Sequence, residues 1–377
     1  MSYAPIAGGM TPSVTPSGTP LVTVLTPVYN GEPYLADCIE SVLAQTYERW
    51  EYIIVDNAST DRTGDIIRRY ADRDPRIRAY TNERLVPVID NHNIALAHVS
   101  PASAWCKFVS ADDLLMPECL ERMVRLGTEH PSVGLIAAYQ VQGTRVALGG
   151  LPYPSPVTPG RRIGRDSLLG VLSVFGNPTA HMLRADLVRR RQPFYDASIL
   201  HADEAACYDV LQDTDFGFVH QVLTFERIHP GSVTVSAARR LNTFLFAHMK
   251  MLKTYGPVYL TAEEYERALS ERMATYYGFL ARALLSPARR EIWDYHIQRL
   301  AELGVVVRRS GVARAILRQV AHAFGGPVRE LRNAVRVLRS RGSDEVAWRE
   351  WWAPTGFEPI RSVRPSEPRE ARFATRW

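Results

Sequence analysis

Four cysteines in 377 residues are too few and too scattered for a disulfide framework. Cys38, Cys106, Cys119 and Cys207 form no C-x-x-C pair and no metal-ligand spacing, which points to a reducing, cytoplasmic setting and to buried apolar thiols. No apolar run approaches the roughly 20 residues that a membrane-spanning helix needs. The first twenty residues lack the basic start and apolar stretch of a secretory signal, and their Pro, Ser, Thr and Gly content reads as a disordered leader over residues 1–20. Neither a G-x-G-x-x-G fingerprint nor a Walker-type loop is present to cradle phosphates. Charge of one sign is not in large excess either: 45 Lys and Arg stand against 40 Asp and Glu, a net +5. So mild a balance does not call for a nucleic-acid partner, and none is expected.

What the chain does have is an apolar fraction of 46%, enough for one large α/β domain with an appendage. From Leu21, short apolar runs alternate with helical periodicity: LVTVL is followed by LADCIESVLAQT, in which Leu35, Ile39, Val42 and Leu43 share one face. WEYIIVD, IRAY, AWCKFVS and VGLIAAYQ read as further strands, separated by helices near Ile66 to Tyr70, NIALAHV and ECLERMVRL. Such alternation predicts βαβ crossovers and a mainly parallel sheet flanked by helices. GGLPYPSPVTPG reads as a surface loop because Pro and Gly disfavour a helix or central strand. The pattern predicts a domain over 21–235, a helical extension over 236–341 and a flexible tail over 342–377. Within the extension, TAEE at Thr261 to Glu264 fits a capping box, and Tyr265, Leu269, Met273, Tyr276 and Leu280 recur at helical spacing.

Further on, Val328, Leu331, Val335 and Leu338 run beside Arg329, Arg332, Arg336 and Arg339, a basic amphipathic helix. A solvated face packed on the domain and peripheral contact with an anionic membrane surface are both open for it. The tail carries Trp348, Trp351, Trp352 and Trp377 among charges and prolines.

In parallel α/β sheets, ligands bind beyond the carboxyl ends of the strands. Polar clusters at such ends are TPVYNGEPYL, VDNASTDRT and VSADDLLMP, with ILHADEAACYDVL in the later half. Adjacent carboxylates such as Asp112 and Asp113 at a strand end need a cation or hydrogen-bond donors to neutralise them. All-oxygen ligation favours Mg²⁺ or Mn²⁺, completed by substrate phosphates. Alternatively the pair caps the helix that starts near Pro117. Asp56 can accept hydrogen bonds from a base edge, whereas Ser59 and Asp61 read as a turn into a capped helix. Tyr29 is suited to stacking on a base, though a lone aromatic also serves as packing.

TPVYNGEPYL, VDNASTDRT, NHNIALAH, VSADDLLMPECLE, GNPTAHMLR and FERIHPGSVT, in this order over Val22 to Val235, resemble the successive motifs of family-2 inverting glycosyltransferases. The resemblance implies a GT-A-type fold and transfer of a sugar from a nucleotide-sugar donor, a UDP-sugar first among them, to a glycan or lipid-linked acceptor. It implies that Thr26, Pro27, Tyr29 and Asp56 hold the nucleoside, with His92 and Asn93 contacting base or phosphate. Asp112 and Asp113 then match the D-x-D region that touches ribose and a divalent metal. Asp203 is the implied general base, with Glu204 beside it as the alternative. His229 falls where the family places a histidine near the diphosphate or metal, and Asn177, Pro178 and Thr179 on the acceptor-side wall.

Three positions depart from the family pattern. Asp56, Asn57, Ala58 and Ser59 stand where Asp-Asp-Gly-Ser is usual, so the turn loses the glycine that tolerates positive φ. Ser110 replaces the first Asp of the D-x-D-D run, and His92 stands where an arginine often precedes the asparagine. These changes motivate a second reading, a catalytically silent nucleotide- or glycan-binding module tethered by its basic helix.

Overall fold

Strands buried on both faces must be apolar throughout, and the apolar runs become strands at the expected places. β1 (Leu21–Val28), β2 (Trp50–Asp56), β3 (Ile77–Thr81), β4 (Ser103–Phe108) and β6 (Val133–Gln142) alternate with α1 (Leu35–Leu43), α2 (Thr63–Ala71), α3 (Val88–Ala97) and α4 (Cys119–Glu129), with the two-residue β5 (Leu114–Leu115) before α4. In β2, Ile53, Ile54 and Val55 are fully buried, and each contributes about 1.5–3 kcal/mol relative to exposure. The computed structural model describes residues 18–149, 151–199, 201–229 and 241–321. The leader through residue 17, the basic stripe from Val328 to Arg339 and the tail tryptophans lie outside the described residues.

The chain continues with β7 (Arg145–Ala147), β8 (Val157–Thr158), α5 (Gly160–Leu168), β9 (His181–Arg184), α6 (Ala185–Arg189), α7 (Ala202–Val210) and β10 (Asp215–Glu226). All join one sheet of order β3-β2-β1-β4-β9-β6-β10-β5, with β7 on β6 and β8 on β10. The pairs β1–β2, β2–β3, β1–β4 and β6–β10 are parallel, while β9 runs antiparallel between β4 and β6. The sheet is therefore mixed, and parallel over the segment that carries the first two strand-end clusters. β9 is only four residues long, and the His-Gln step inside β10 interrupts its apolar run, which hid both from periodicity. Among the described residues of the Pro/Gly-rich stretch, Val157 and Thr158 pair at an edge with β10 and Gly160 opens α5, and the rest is loop.

One face of the sheet packs on α1 and α4 through Leu35, Ile39, Leu120 and Met123; the other packs on α3, α5 and α7 through Ala95, Ile163 and Cys207. After residue 240 come α8 (Thr243–Tyr259), α9 (Ala262–Ala283) and α10 (Arg289–Glu302). Thr261 and Glu264 form the expected reciprocal capping box at the start of α9. The helices join the α/β layers directly: Tyr255 stacks on Tyr208 with ring centroids 5.0 Å apart, and Arg165 pairs with Glu264. Among the described residues no helix is long and apolar enough to cross a membrane.

Candidate active site

The carboxyl ends of β2, β1 and β4 lie side by side, because Val28 pairs with Asp56 and Leu25 with Phe108. Two inter-strand spacings put the ends of β2 and β4 about 10 Å apart. The first two loops are stitched together: Asn30 N–H donates to Ser59 Oγ, and Thr60 N–H donates to Asn30 Oδ1. Gly31 lies so close to Val28 that an added Cβ would come within 2.5 Å of its methyl, so only glycine fits. Ala58 retains the left-handed turn despite having a side chain, with φ of 56°. The turn geometry is kept at a local cost of about 1 kcal/mol.

Asp56 is almost buried and accepts one hydrogen bond, from Ser59 N–H at 2.9 Å. Tyr29 is 47% exposed beside it. Thr26, expected at the nucleoside, faces inward instead. Its hydroxyl donates to the Val109 carbonyl at 2.7 Å and accepts from Tyr52, so this side chain ties β1 to the end of β4. Pro27 is half-buried in the strand. Asn93 is likewise committed elsewhere: its amide nitrogen donates to Tyr195 O at 2.8 Å and its oxygen accepts Tyr195 N–H at 2.9 Å. Both ends of the amide are used, which makes Asn93 a clamp on the Tyr195 loop. His92 donates from Nδ1 to Val88 O and packs 5.4 Å from Phe108; burial lowers its pKa and keeps the ring neutral.

The adjacent aspartates have opposite environments. Asp113 is 1% exposed, and its oxygens accept from the Thr179 hydroxyl at 2.5 Å, Asn177 Nδ2 at 2.9 Å and Arg227 N–H at 3.0 Å. Burial first, and then the Asp112 charge, push it up to about 7. With donors at three hydrogen bonds, Asp113, expected as a metal ligand, is held as an internal brace. Asn177 and Thr179, expected on the acceptor side, both donate to this carboxylate, and Thr179 is fully buried. Asp112 is the one presented to solvent: its Oδ2 lies 2.9 Å from His229 Nε2. Neither aspartate caps α4, because β5 intervenes.

An oxygen and a nitrogen about 3 Å apart match the edge of an octahedron with bonds of about 2.1 Å, so this pair fits two neighbouring positions on Mg²⁺ or Mn²⁺. Among the described residues no group of three or more His, Cys, Asp and Glu side chains could hold a metal ion. A cation at Asp112 and His229 therefore needs water and substrate oxygens to complete its shell, as Mg²⁺ sites commonly do.

Arg227 is the residue that sequence reasoning missed. Its Nε donates to Asp112 O at 3.0 Å, its backbone holds Asp113, and its guanidinium lies 4.7 Å from the Tyr34 ring centre. Tyr34 in turn lies 4.7 Å from the His229 ring. The Arg-x-His spacing at the end of β10 was the only available signal, and it was read for His229 alone.

Asp203 and Glu204 occupy the first turn of α7. Burial raises Asp203 to about 6; burial and then Asp203 raise Glu204 to about 7, against the pull of Arg272. Carboxyls poised in this range can exchange protons near neutral pH. Tyr195 packs its ring 5.9 Å from Phe108 at the end of β4, and burial, then the Asp203 charge, push its phenol up.

Residues 23–191 match the model of Glycosyl transferase family 2, and the fold is a GT-A-like mixed α/β one. The chain is similar to the putative glycosyltransferase EpsE of Bacillus subtilis, 28% identical over 67% of this chain and 95% of that protein. It is also similar to the putative teichuronic acid biosynthesis glycosyltransferase TuaG of the same organism, 34% identical over 32% of this chain and 48% of TuaG. Uncharacterized protein y4gI of Sinorhizobium fredii is 30% identical over 58% of this chain, a match spanning only 23% of its length. In fold the chain resembles S. aureus TarS 1-349, crystallised in complex with UDP-GlcNAc: TM-score 0.57, 15% identity, 75% of this chain and 80% of that one.

Proposed function

We propose that the protein is an inverting glycosyltransferase that moves a sugar from a nucleoside-diphosphate sugar to a hydroxyl of a glycan or lipid-linked acceptor. The observation that carries this reading is the selective presentation of Asp112, 2.9 Å from His229, at the carboxyl ends of strands whose first neighbour ends in Asp56. Asp56 accepts hydrogen bonds from the base edge, and Tyr29 is exposed to stack on it. Asp112 and His229 would hold a divalent cation, which would supply positive charge to offset that developing on the departing diphosphate. The carboxylate pair Asp203 and Glu204 takes the proton from the acceptor hydroxyl. The acceptor oxygen then bonds to the anomeric carbon from the face opposite the leaving group. The carbon–oxygen bond to the diphosphate breaks, and its electrons stay on the phosphate oxygen. The UDP-GlcNAc bound by TarS favours a UDP-sugar as donor, and the names of TuaG and EpsE favour a polysaccharide acceptor.

The test is a panel of UDP-, dTDP- and GDP-sugars with Mn²⁺ or Mg²⁺, read by thermal stabilisation and by slow donor hydrolysis. At least one donor should stabilise the protein and be hydrolysed. A silent binding module would be stabilised without turnover, and a protein stabilised by none of them would end both readings.

A further inference from the structure

Beyond the strand-end cleft, α7, α8 and the loop before α7 enclose a cavity of about 660 Å³. That volume lies within the roughly 300–1,000 Å³ of small-molecule sites. Arg191 and Asp196 line it from the loop, Asp209 from α7, Gln212 from just beyond α7, and Lys250 and Thr254 from α8. Its walls are tied to one another: Arg191 pairs with Asp209, Tyr255 of α8 stacks on Tyr208 of α7, and Asp196 Oδ1 accepts Ser198 N–H at 2.9 Å. Arg191 also borders a second cavity, of about 320 Å³, lined by Asn93 and Phe194. Asn93 fixes the loop between the two through its paired hydrogen bonds to Tyr195.

The lining selects the class of ligand. Two cations, Arg191 and Lys250, stand against two carboxylates, Asp196 and Asp209, so the cavity carries no net charge and nothing in it calls for an ion. Donors and acceptors are mixed instead: the ammonium and guanidinium donate, the carboxylates accept, and the Gln212 amide and Thr254 hydroxyl do both. Such a set matches the neighbouring hydroxyls of a sugar, each of which donates and accepts. Met251 and the Tyr255 ring add apolar surface that suits the C–H face of a pyranose. Two cavities that meet at Arg191 accommodate a chain of sugar units better than a single ring.

We infer that this cavity is a saccharide site, which grips uncharged units of the acceptor glycan other than the one that reacts. That the ligand is the acceptor rests on the transferase reading proposed above; that it is a sugar does not. Ala205, which lines the cavity, directly follows Glu204, and Asp209 lies one turn beyond it on the same helix face. The helix that carries the carboxyl pair in its first turn therefore forms one wall of the cavity. A glycan anchored here keeps its reacting end near α7.

The test is saturation-transfer-difference NMR on the full-length protein, with cellotriose, maltotriose and chitotriose as neutral probes and glucuronate and glucose 6-phosphate as charged ones. At least one trisaccharide should give a signal in wild type. Thr254→Trp, which fills the cavity from an exposed position, should weaken its affinity at least about fivefold with Tm unchanged. Gln212→Ala should weaken it about threefold, and it carries the test if the Trp variant does not fold. No trisaccharide signal in wild type, or a signal untouched in the folded variants, overturns the inference. So does tighter binding of a charged probe that Lys250→Met abolishes, because the cavity would then be an anion site. The donor panel decides the transferase reading separately: a trisaccharide held here by a protein that turns over no donor keeps the saccharide site and overturns its assignment to an acceptor.

Discussion

Thr179→Val replaces a hydroxyl by a methyl of nearly the same shape and so isolates what that hydroxyl does. Thr179 Oγ1 donates to Asp113 and accepts Ser110 N–H at 3.0 Å, with its own side chain fully buried. The variant loses a hydrogen bond to a carboxylate, worth about 1.5–3 kcal/mol, and strands a backbone N–H; some relaxation leaves a net loss of about 2–4 kcal/mol. At roughly 2–4 °C per kcal/mol for a domain of this size, Tm should fall by about 5–15 °C. The sign of the pH dependence follows from the raised pKa of Asp113, about 7. The Thr179 bond favours the ionised form, so its loss is felt fully at pH 8 and only partly at pH 5.5, where the carboxyl is protonated. Thermal unfolding at the two pH values measures both effects. A Tm within 2 °C of wild type at pH 8, together with a raised acceptor KM, would return Thr179 to the acceptor wall and refute its role as a brace.

Asp112→Ala should leave Tm within about 2 °C, since a half-exposed contact with His229 is worth about 0–1 kcal/mol, yet lower donor turnover roughly 100-fold or more; a large drop in Tm would place Asp112 in the internal network. Turnover should have an acid limb between about pH 6 and 7, where Asp203 and Glu204 lose the ionised form that accepts a proton. A rate that is flat down to pH 5 counts against both as the base. Ala58→Gly should raise Tm by about 1–3 °C, because relief of the left-handed strain outweighs the entropy that glycine adds to the unfolded chain; a lower Tm would mean that the alanine side chain contributes packing that offsets its strain.

The parallel strands were legible because burial on both faces demands continuous apolar runs such as WEYIIVD, and Asp56 and Asp112 were legible because they end such runs. Their neighbours were not. Asp112 and Asp113 are adjacent in sequence, yet the turn after β4 directs one to solvent and the other to Thr179, Asn177 and Arg227, which arrive from distant segments. Asn93 and Tyr195 are 102 residues apart, and Arg227 and Asp112 are 115 apart. A short-range pattern holds no trace of such partners, and a polar residue near a ligand site reads as a ligand when it is the clamp behind one. Family motifs blur the same distinction, because a residue that braces a site recurs as faithfully as one that touches substrate.

The claim on which the account depends is that Asp112 and His229 present a cation to a diphosphate whose nucleoside reaches Asp56. Calorimetric titration with UDP, in the presence of Mn²⁺ and then of EDTA, tests it most directly in wild type and in Asp112→Ala. The account predicts that Mn²⁺ tightens UDP binding at least roughly tenfold in wild type, about 1.4 kcal/mol, and not in the variant. Equal affinity with Mn²⁺ and with EDTA, or a gain that survives loss of the Asp112 carboxylate, would contradict it.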